Sequence, residues 1–321
     1  MPPKCKILLT GSTGFVGSVL LSEINSVPEF QFISVVRSAV SPASDDVVVV
    51  GSIDGTTDYS SALNGVDVVV HAAARAHIMR DEVADPLVEY RKVNVEGALN
   101  LAKQAVAAGV KRFVYISSVK VNGESTTGLK AFTEADTAKP EDPYGVSKHE
   151  AEEGLRLLAQ ETGLEVVIIR PPLVYGPGVK ANFLSLLKLS VTGLPLPFGS
   201  VNNHRSMVYV GNLVSFIICC IHHPAAANQT FLVSDGEDVS LRKLVTFIRL
   251  CLGRSPCLLP VPLWLFKLVG AVTGKQGVVD RLVGDLQVDS SKARTLLEWV
   301  PPFTVSQGIE ATVADFMSKE Q

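Results

Sequence analysis

Short apolar runs alternate with stretches of helical periodicity through the first half of the chain. Ile7-Leu8-Leu9 reads as a buried parallel strand, and Val19, Leu20 and Ile24 continue it as the apolar stripe of a helix. Phe32 to Val36, Val47 to Val50, Val66 to Val70 and Phe113 to Ile116 predict the second to fifth strands. Long helices are predicted over Pro86 to Ala108 and Tyr144 to Thr162, followed by a strand over Val166 to Ile169. Strands that alternate with helices imply an α/β fold, a Rossmann-like doubly wound parallel sheet. Ligands of such sheets bind past the carboxyl ends of the strands, where Gly11, His71, Ser117 and Arg170 fall.

After Gly178 the strict alternation breaks down. The expected division is a nucleotide-binding domain over 1–178 and a smaller, mainly substrate-binding domain over 179–321. Val208 to Val210, Leu213 to Ile221 and Phe231 to Val233 read as strand, helix and strand, a segment near 205–235 that returns to the main sheet. Asn182-Phe183 opens a helix after a loop rich in glycine and proline, and its N-terminus can face a phosphate. Leu258 to Val272 is strongly apolar but broken by Pro260, Pro262 and Lys267, too short to span a bilayer. It is expected to be a buried or lid helix in preference to a membrane-surface contact.

Composition adds limits. The 321 residues are 47% hydrophobic and 19% charged, as in a soluble globular protein, and the net charge of −3 argues against a nucleic-acid or general polyanion partner. The five cysteines lack CxxC spacing, which reads as reduced thiols in a cytoplasmic protein without a metal site. No signal peptide is visible, since the N-terminus leads directly into a short apolar strand.

Two motifs carry chemistry. Gly11-Ser-Thr-Gly14-Phe-Val-Gly17 joins the first strand to the first helix, so backbone N–H groups can approach a pyrophosphate. Its spacing is GxxGxxG. In Asp142-Pro-Tyr-Gly-Val-Ser-Lys148, Tyr144 and Lys148 stand four residues apart, on one face if Pro143 begins a helix. An ammonium beside a phenol is expected to lower the tyrosine pKa toward neutrality, making Tyr144 a proton donor or acceptor. The second strand ends in Val35-Val36-Arg37-Ser38, without the acid that usually accepts from the adenosine ribose. Arg37 is then either a partner for a 2′-phosphate or an ordinary loop residue; NADP(H) is favoured, with NAD(H) possible.

With these motifs, His71-Ala-Ala-Ala74, Asn94-Val-Glu-Gly97, Ile116-Ser-Ser118, Arg170-Pro-Pro-Leu-Val-Tyr-Gly-Pro-Gly178 and Arg205-Ser-Met-Val-Tyr-Val complete a set. In this order the chain resembles the extended short-chain dehydrogenase/reductase family, in its nucleotide-sugar branch. The resemblance implies a catalytic trio of Ser118, Tyr144 and Lys148. It places the cofactor on Gly11, Thr13, Gly14, Phe15, Val16 and Gly17, with Ser52 and Ile53 near the adenine and Ala72, Ala73 and Ala74 along the backbone. Pro171 would line the nicotinamide pocket, Asn94 would order the active-site network, and His71 would be structural. Ser52 stands where the family has an Asp, with Asp54 a possible substitute. Lys120 and Asn122 replace a small residue and a Tyr, and Lys120 either contacts substrate or faces solvent. Asn182, Arg205 and Arg281 would approach the diphosphate, Leu194 to Gly199 the uracil ring, and Asp289 to Trp299 the scaffold as a C-terminal helix. The implied reaction is redox chemistry at C4 of a UDP-hexose in a homodimer. The main reading is a 4-keto reductase of a UDP-N-acetyl or 6-deoxy sugar in cell-surface polysaccharide precursor synthesis, since Ser117-Ser-Val-Lys-Val-Asn-Gly-Glu124 resembles the run in bacterial 4-keto reductases of the UDP-N-acetylquinovosamine type. A 4-epimerase holding NAD is the alternative and a hydroxysteroid-dehydrogenase-like enzyme the second.

Overall fold

The computed structural model describes residues 4–38, 46–76 and 85–320. Strand β1 (Cys5–Thr10) enters the glycine-rich turn, and α1 (Phe15–Ser26) leads to β2 (Phe30–Val36), β3 (Val47–Val49) and β4 (Val68–His71). Next come α2 (Pro86–Arg91), a π-helical turn over Lys92–Glu96 and α3 (Gly97–Ala107), where one uninterrupted helix was expected. Strand β5 (Arg112–Ile116), helix α4 (Pro143–Thr162) and strand β6 (Glu165–Arg170) close the alternating part.

These strands form one parallel sheet in the order β3-β2-β1-β4-β5-β6, extended beyond β6 by β9 (Thr230–Leu232). The order reverses between β1 and β4, whose pairing sets Leu9 against Val70 and Thr10 against His71. A crevice opens at the carboxyl ends of such a pair. Alternate strand residues enter opposite cores, because strand side chains have a period of two. Ile7, Leu9, Val70, Val114 and Ile169 face α1 and α6 (Val210–His222), whereas Leu8, Val69, Phe113, Tyr115 and Ile168 face α3 and α4.

The later elements are β7 (Leu173–Tyr175), α5 (Ala181–Val191), β8 (Met207–Tyr209), α7 (Leu241–Cys251), α8 (Leu263–Thr273), α9 (Gln276–Val283), α10 (Ser291–Leu297) and α11 (Val305–Glu320). The returning segment was only half anticipated. Strand β9 joins the main sheet, but β8 pairs with β7 in a separate two-stranded ribbon. Beneath that ribbon Tyr175, Phe183, Leu187, Ile248, Ile309 and Val313 form another core.

The larger correction concerns the apolar run near the end. Helix α8 is exposed along most of its length; Trp264 is 64% exposed and Val272 79%, and only Gly270 in this helix is buried. The run is not a buried helix. Among the described residues, no helix is long and apolar enough to cross a membrane.

The glycine turn has steric causes. Gly11 has φ of +77°, and a Cβ there would lie 2.7 Å from the Ala73 nitrogen. A Cβ on Gly17 would lie 2.0 Å from the Gly11 carbonyl oxygen, which is backbone and cannot swing aside. Gly17→Ala is therefore expected to cost more than about 2 kcal/mol of stability. A urea midpoint unchanged from wild type would contradict this packing.

Candidate active site

Helix α4 begins where the sequence places it. Asp142 is its N-cap, Pro143 takes the first helical position, and the Asp142 Oδ1 accepts from Gly145 N at 2.7 Å. This start puts Tyr144, Lys148 and Glu152 on one face at intervals of four. Tyr144 is partly buried, Lys148 is 1% exposed and Glu152 is fully buried.

The Lys148 ammonium lies 4.2 Å from the centroid of the Tyr115 ring, on strand β5. Burial pulls its pKa down to about 7, opposed by the charge of Glu152. The His71 ring stacks near Tyr115 at 5.9 Å, and its Nδ1 is 2.8 Å from the Thr10 hydroxyl. Burial, aided by the Lys148 charge, pushes the His71 pKa down to about 3. His71 is thus neutral at physiological pH, a structural imidazole rather than a proton carrier.

The phenol departs from expectation. The Tyr144 pKa is raised, first by burial and then by Asp142 and Tyr90, while the Ser118 hydroxyl against it works in the lowering direction. Lys148 does not bring it toward neutrality. Its ammonium sits on the Tyr115 ring and its own pKa is pulled down to about 7 by burial, so near neutral pH only part of the charge that should favour a phenolate is present. The Tyr90 ring meets Tyr144 edge-on at 6.0 Å, closing one side of the phenol.

Ser118 and Ser117 take different tasks. Ser118 caps the short 3₁₀ turn of Val119–Val121, accepting from Lys120 N at 3.2 Å. Val119 N donates to the carbonyl of the buried Pro171 at 3.0 Å, which fixes that turn over the end of β6. Ser117 is buried and donates to Glu152 at 2.5 Å. Glu152 also receives the Arg170 guanidinium at 2.6 Å and Arg156 at 2.8 Å. Burial opposes ionisation of Glu152, yet Arg170 holds its pKa below the usual range. Asn122, which stands where a Tyr was expected, accepts from Arg170 at 2.9 Å.

Lys120 does not simply face solvent. Its ammonium pairs with Glu124 at 2.9 Å and with the Oδ2 of Asp142. The same Asp142 caps α4. Lys120 thereby ties the turn that carries Ser118 to the helix start that carries Tyr144. Asn94 is buried in the π turn, accepts from Arg75 N at 2.8 Å and donates to Ser147 at 2.9 Å. It orders the chain after β4 against α4.

The glycine turn fits a dinucleotide. Gly14 caps α1 without any side-chain hydrogen bond, so the N–H groups that follow, at Phe15 and Val16, are open to an anion. Thr13 and Ala74 are exposed beside this turn, and the closeness of Gly11 to Ala72 and Ala73 leaves a smooth backbone floor. Arg37 is exposed past β2. Ile53 is buried, while Ser52 is exposed and lies 3.3 Å from the Thr57 hydroxyl. Asp54 is occupied locally: hydrogen bonds from the Thr56 backbone and side chain draw its pKa to about 2.

In the later half, exposed Asn182 lies in the first turn of α5, as expected of a helix start. Arg205 and Arg281 come together, but through the backbone: Arg205 Nη1 donates to the Arg281 carbonyl at 2.8 Å and to the Gly284 carbonyl at 3.2 Å. The Arg281 Nε turns back to Gly277 within α9. Sequence reasoning missed Tyr115 and Glu152. Glu152 was visible as the third member of the Tyr144, Lys148 spacing, whereas nothing local marks Tyr115.

Lys148 yields a signed test. Between pH 7 and its ordinary pKa of 10.5, the unfolded chain binds a proton at Lys148 that the folded chain does not, so its burial cost shrinks as pH rises. Lys148→Met is expected to stabilise the protein most below pH 7, with the gain diminishing from pH 7 to 10. Urea midpoints across that range measure it, and a gain that grows with pH would refute the depressed pKa.

Sequence and fold both place this chain among known proteins. Residues 7–234 match the model of the NAD dependent epimerase/dehydratase family. The chain is 51% identical over 312 residues to a UDP-glucose 4-epimerase of Vibrio cholerae, covering 97% of this chain and 95% of that one. It is 31% identical over 324 residues to an N-acetyl-alpha-D-glucosaminyl-diphospho-ditrans,octacis-undecaprenol 4-epimerase of Escherichia coli O157:H7, covering 96% and 94%. Its fold matches that of UDP-glucuronic acid 4-epimerase from Bacillus cereus in complex with NAD, with a TM-score of 0.78, 21% identity and coverage of 98% and 100%. The chain belongs to the NAD dependent epimerase/dehydratase family of enzymes.

Proposed function

We propose that this enzyme interconverts the C4 epimers of a UDP-hexose with NAD retained at its glycine turn. The observation that carries the reading is the 51% identity over 97% of the chain to a UDP-glucose 4-epimerase. The reductase preferred from sequence is the weaker reading. It rested on the run from Ser117 to Glu124 and on NADP(H), hence on Arg37, an exposed residue past β2, and the family description supports NAD.

In this reading 1–178 is the cofactor domain and 179–321 the mainly substrate-binding one. The backbone at Gly11, Gly14, Phe15 and Val16 holds the pyrophosphate, Ala72 to Ala74 form its floor, and Lys148 engages the nicotinamide ribose. A bound nicotinamide supplies the acceptor and then the donor of a hydride at C4. Tyr144 takes the C4 hydroxyl proton at its Oη, and Ser118 donates a hydrogen bond to the same sugar oxygen as charge builds there. The 4-keto sugar then presents its other face, and Tyr144 returns the proton. The raised pKa keeps the phenol protonated in the ligand-free site, which suits the returning half-reaction. The forward half needs a phenolate, and Lys148, one turn along the helix, is the cation that must favour it. Arg205 approaches the diphosphate, its forked guanidinium held by two carbonyls. Two copies would pair through the long helices, where Leu157 of α4 is 56% exposed.

A second carrier has specific support. The relative from Escherichia coli acts on a sugar joined through diphosphate to a polyprenol, and α8 offers apolar surface next to the segment that holds Arg205. A steroid, by contrast, gives Arg205 no diphosphate.

Purified protein incubated with UDP-glucose or UDP-N-acetylglucosamine is expected to equilibrate the C4 epimers, followed by NMR, without added cofactor. Stoichiometric loss of NADPH with a 4-keto sugar would restore the reductase. Tyr144→Phe should lower kcat by about 10²–10⁴. Lys120→Ala should lower kcat about tenfold with KM little changed, because it loosens Ser118 against Tyr144. Lys120→Arg should recover most of the loss. An unaltered kcat for Lys120→Ala would assign that lysine to the surface alone.

A further inference from the structure

Helix α8 has a face that none of the described residues covers. Trp264, Leu268 and Val272 stand above one another at intervals of four, 64%, 50% and 79% exposed, with Val269 beside them at 52%. The opposite face is held down by Phe266, stacked on Phe198 at 6.3 Å, and by Gly270, where a Cβ would lie 2.9 Å from Val279. The hairpin is thus anchored in the structure, and its exposed apolar face is a consequence of that anchoring.

Charge decides what covers it. Residues 252–284 carry four cations, Arg254, Lys267, Lys275 and Arg281, against the single acid Asp280, a net charge of +3 in a chain whose net charge is −3. All four cations are exposed, and none of them forms an ion pair among the described residues. Lys267 flanks the apolar face and Lys275 follows the helix end at Gly274. An exposed Trp, an aliphatic stripe and lysines at its margin are the features of a helix lying in a membrane interface. A second copy fits poorly. A two-fold contact would lay this face on itself and bring the same lysines together.

We propose that the α8–α9 hairpin docks this enzyme on the surface of an anionic phospholipid bilayer. Trp264, Leu268 and Val272 enter below the headgroups, and Lys267 and Lys275 meet the lipid phosphates. The hairpin is also the segment whose carbonyls, at Arg281 and Gly284, hold the Arg205 guanidinium. Docking therefore brings the substrate half of the crevice to the headgroup layer, where diphosphate-linked sugars on a lipid carrier are presented. The docking itself rests on the exposed face and its charge and does not require the epimerase reading.

The full chain is titrated with vesicles of phosphatidylcholine containing about one third phosphatidylglycerol, reading both co-flotation and tryptophan emission. Binding is expected, with a blue shift from Trp264, since Trp299 is already buried. It should weaken as salt rises. Trp264→Ser/Leu268→Ser/Val272→Ser should lower partitioning by about a hundredfold. Lys267→Gln/Lys275→Gln should lower it roughly tenfold to thirtyfold on anionic vesicles and hardly at all on pure phosphatidylcholine. Turnover of soluble UDP-sugar, measured on the same variants, should stay within about twofold of wild type, which separates the docking from the chemistry. Absence of partitioning, a triple variant that binds as wild type does, or a dimer in lipid-free solution that the triple variant abolishes would each overturn the proposal, the last in favour of a second copy.

Discussion

Everything at the chemical centre turns on a buried carboxylate. Glu152 is fully buried, and its two oxygens receive Arg170, Arg156 and the Ser117 hydroxyl. Removing water from a carboxylate is costly, and losing one partner from such a pair costs about 3–5 kcal/mol. The arrangement therefore admits one rotation of α4 about its axis, the one that keeps Glu152 over the ends of β5 and β6. Tyr144 and Lys148 are two turns and one turn before it, so the same constraint aims both into the crevice. At the other end of that face, Asp142 caps the helix and is tied through Lys120 to the turn of Ser118. The helix is fixed by charge at two points, and Tyr144 and Lys148 lie between them.

Between those points the Tyr144 phenol and the Lys148 ammonium are both desolvated by burial, which explains the electrostatics. Lys148 rests on an aromatic ring and His71 is too buried to protonate. A phenol in this setting stays neutral, and an ammonium in it is barely retained. A dinucleotide carrying ribose hydroxyls and a positively charged ring changes that balance, since hydroxyls can receive the ammonium and the ring adds positive charge. The site is thus arranged to be completed by its ligands.

The legible parts of the chain were those where the signal is local. Parallel strands buried on both faces give continuous apolar runs, so β1, β2, β4, β5 and β6 appear within two residues of their expected limits. The start of α4 was legible because a capping Asp and an N1 Pro are neighbours. Pairings across distance were not. That β8 joins β7, or that Lys120 meets Asp142 22 residues away, depends on the folded arrangement. The phenol pKa departed from expectation for a related reason, because spacing gives the proximity of an ammonium but not the depth of burial that raises the phenol. The apolar run of α8 gave composition without a direction, and an apolar helix can face a core or a membrane with the same letters.

The two halves of the molecule consequently solve different problems. The parallel sheet and α4 hold Tyr144, Lys148 and the glycine turn with buried charges and close backbone contacts, so few substitutions there are neutral. The hairpin of α8 and α9 is held by the Phe266–Phe198 ring stack, by Leu282 and Val283 against the core around Leu196 and Leu241, and by hydrogen bonds from Asn203 and Arg205 to its carbonyls, and its outer face is free of packing demands. Selection on that face acts through what it touches. Apolar side chains bounded by unpaired cations raise the tendency to associate for any exposed helix, and a chain gains nothing in fold stability by carrying them. Their presence beside the carbonyls that hold Arg205 argues that the surface serves the delivery of substrate to the crevice rather than the stability of the domain.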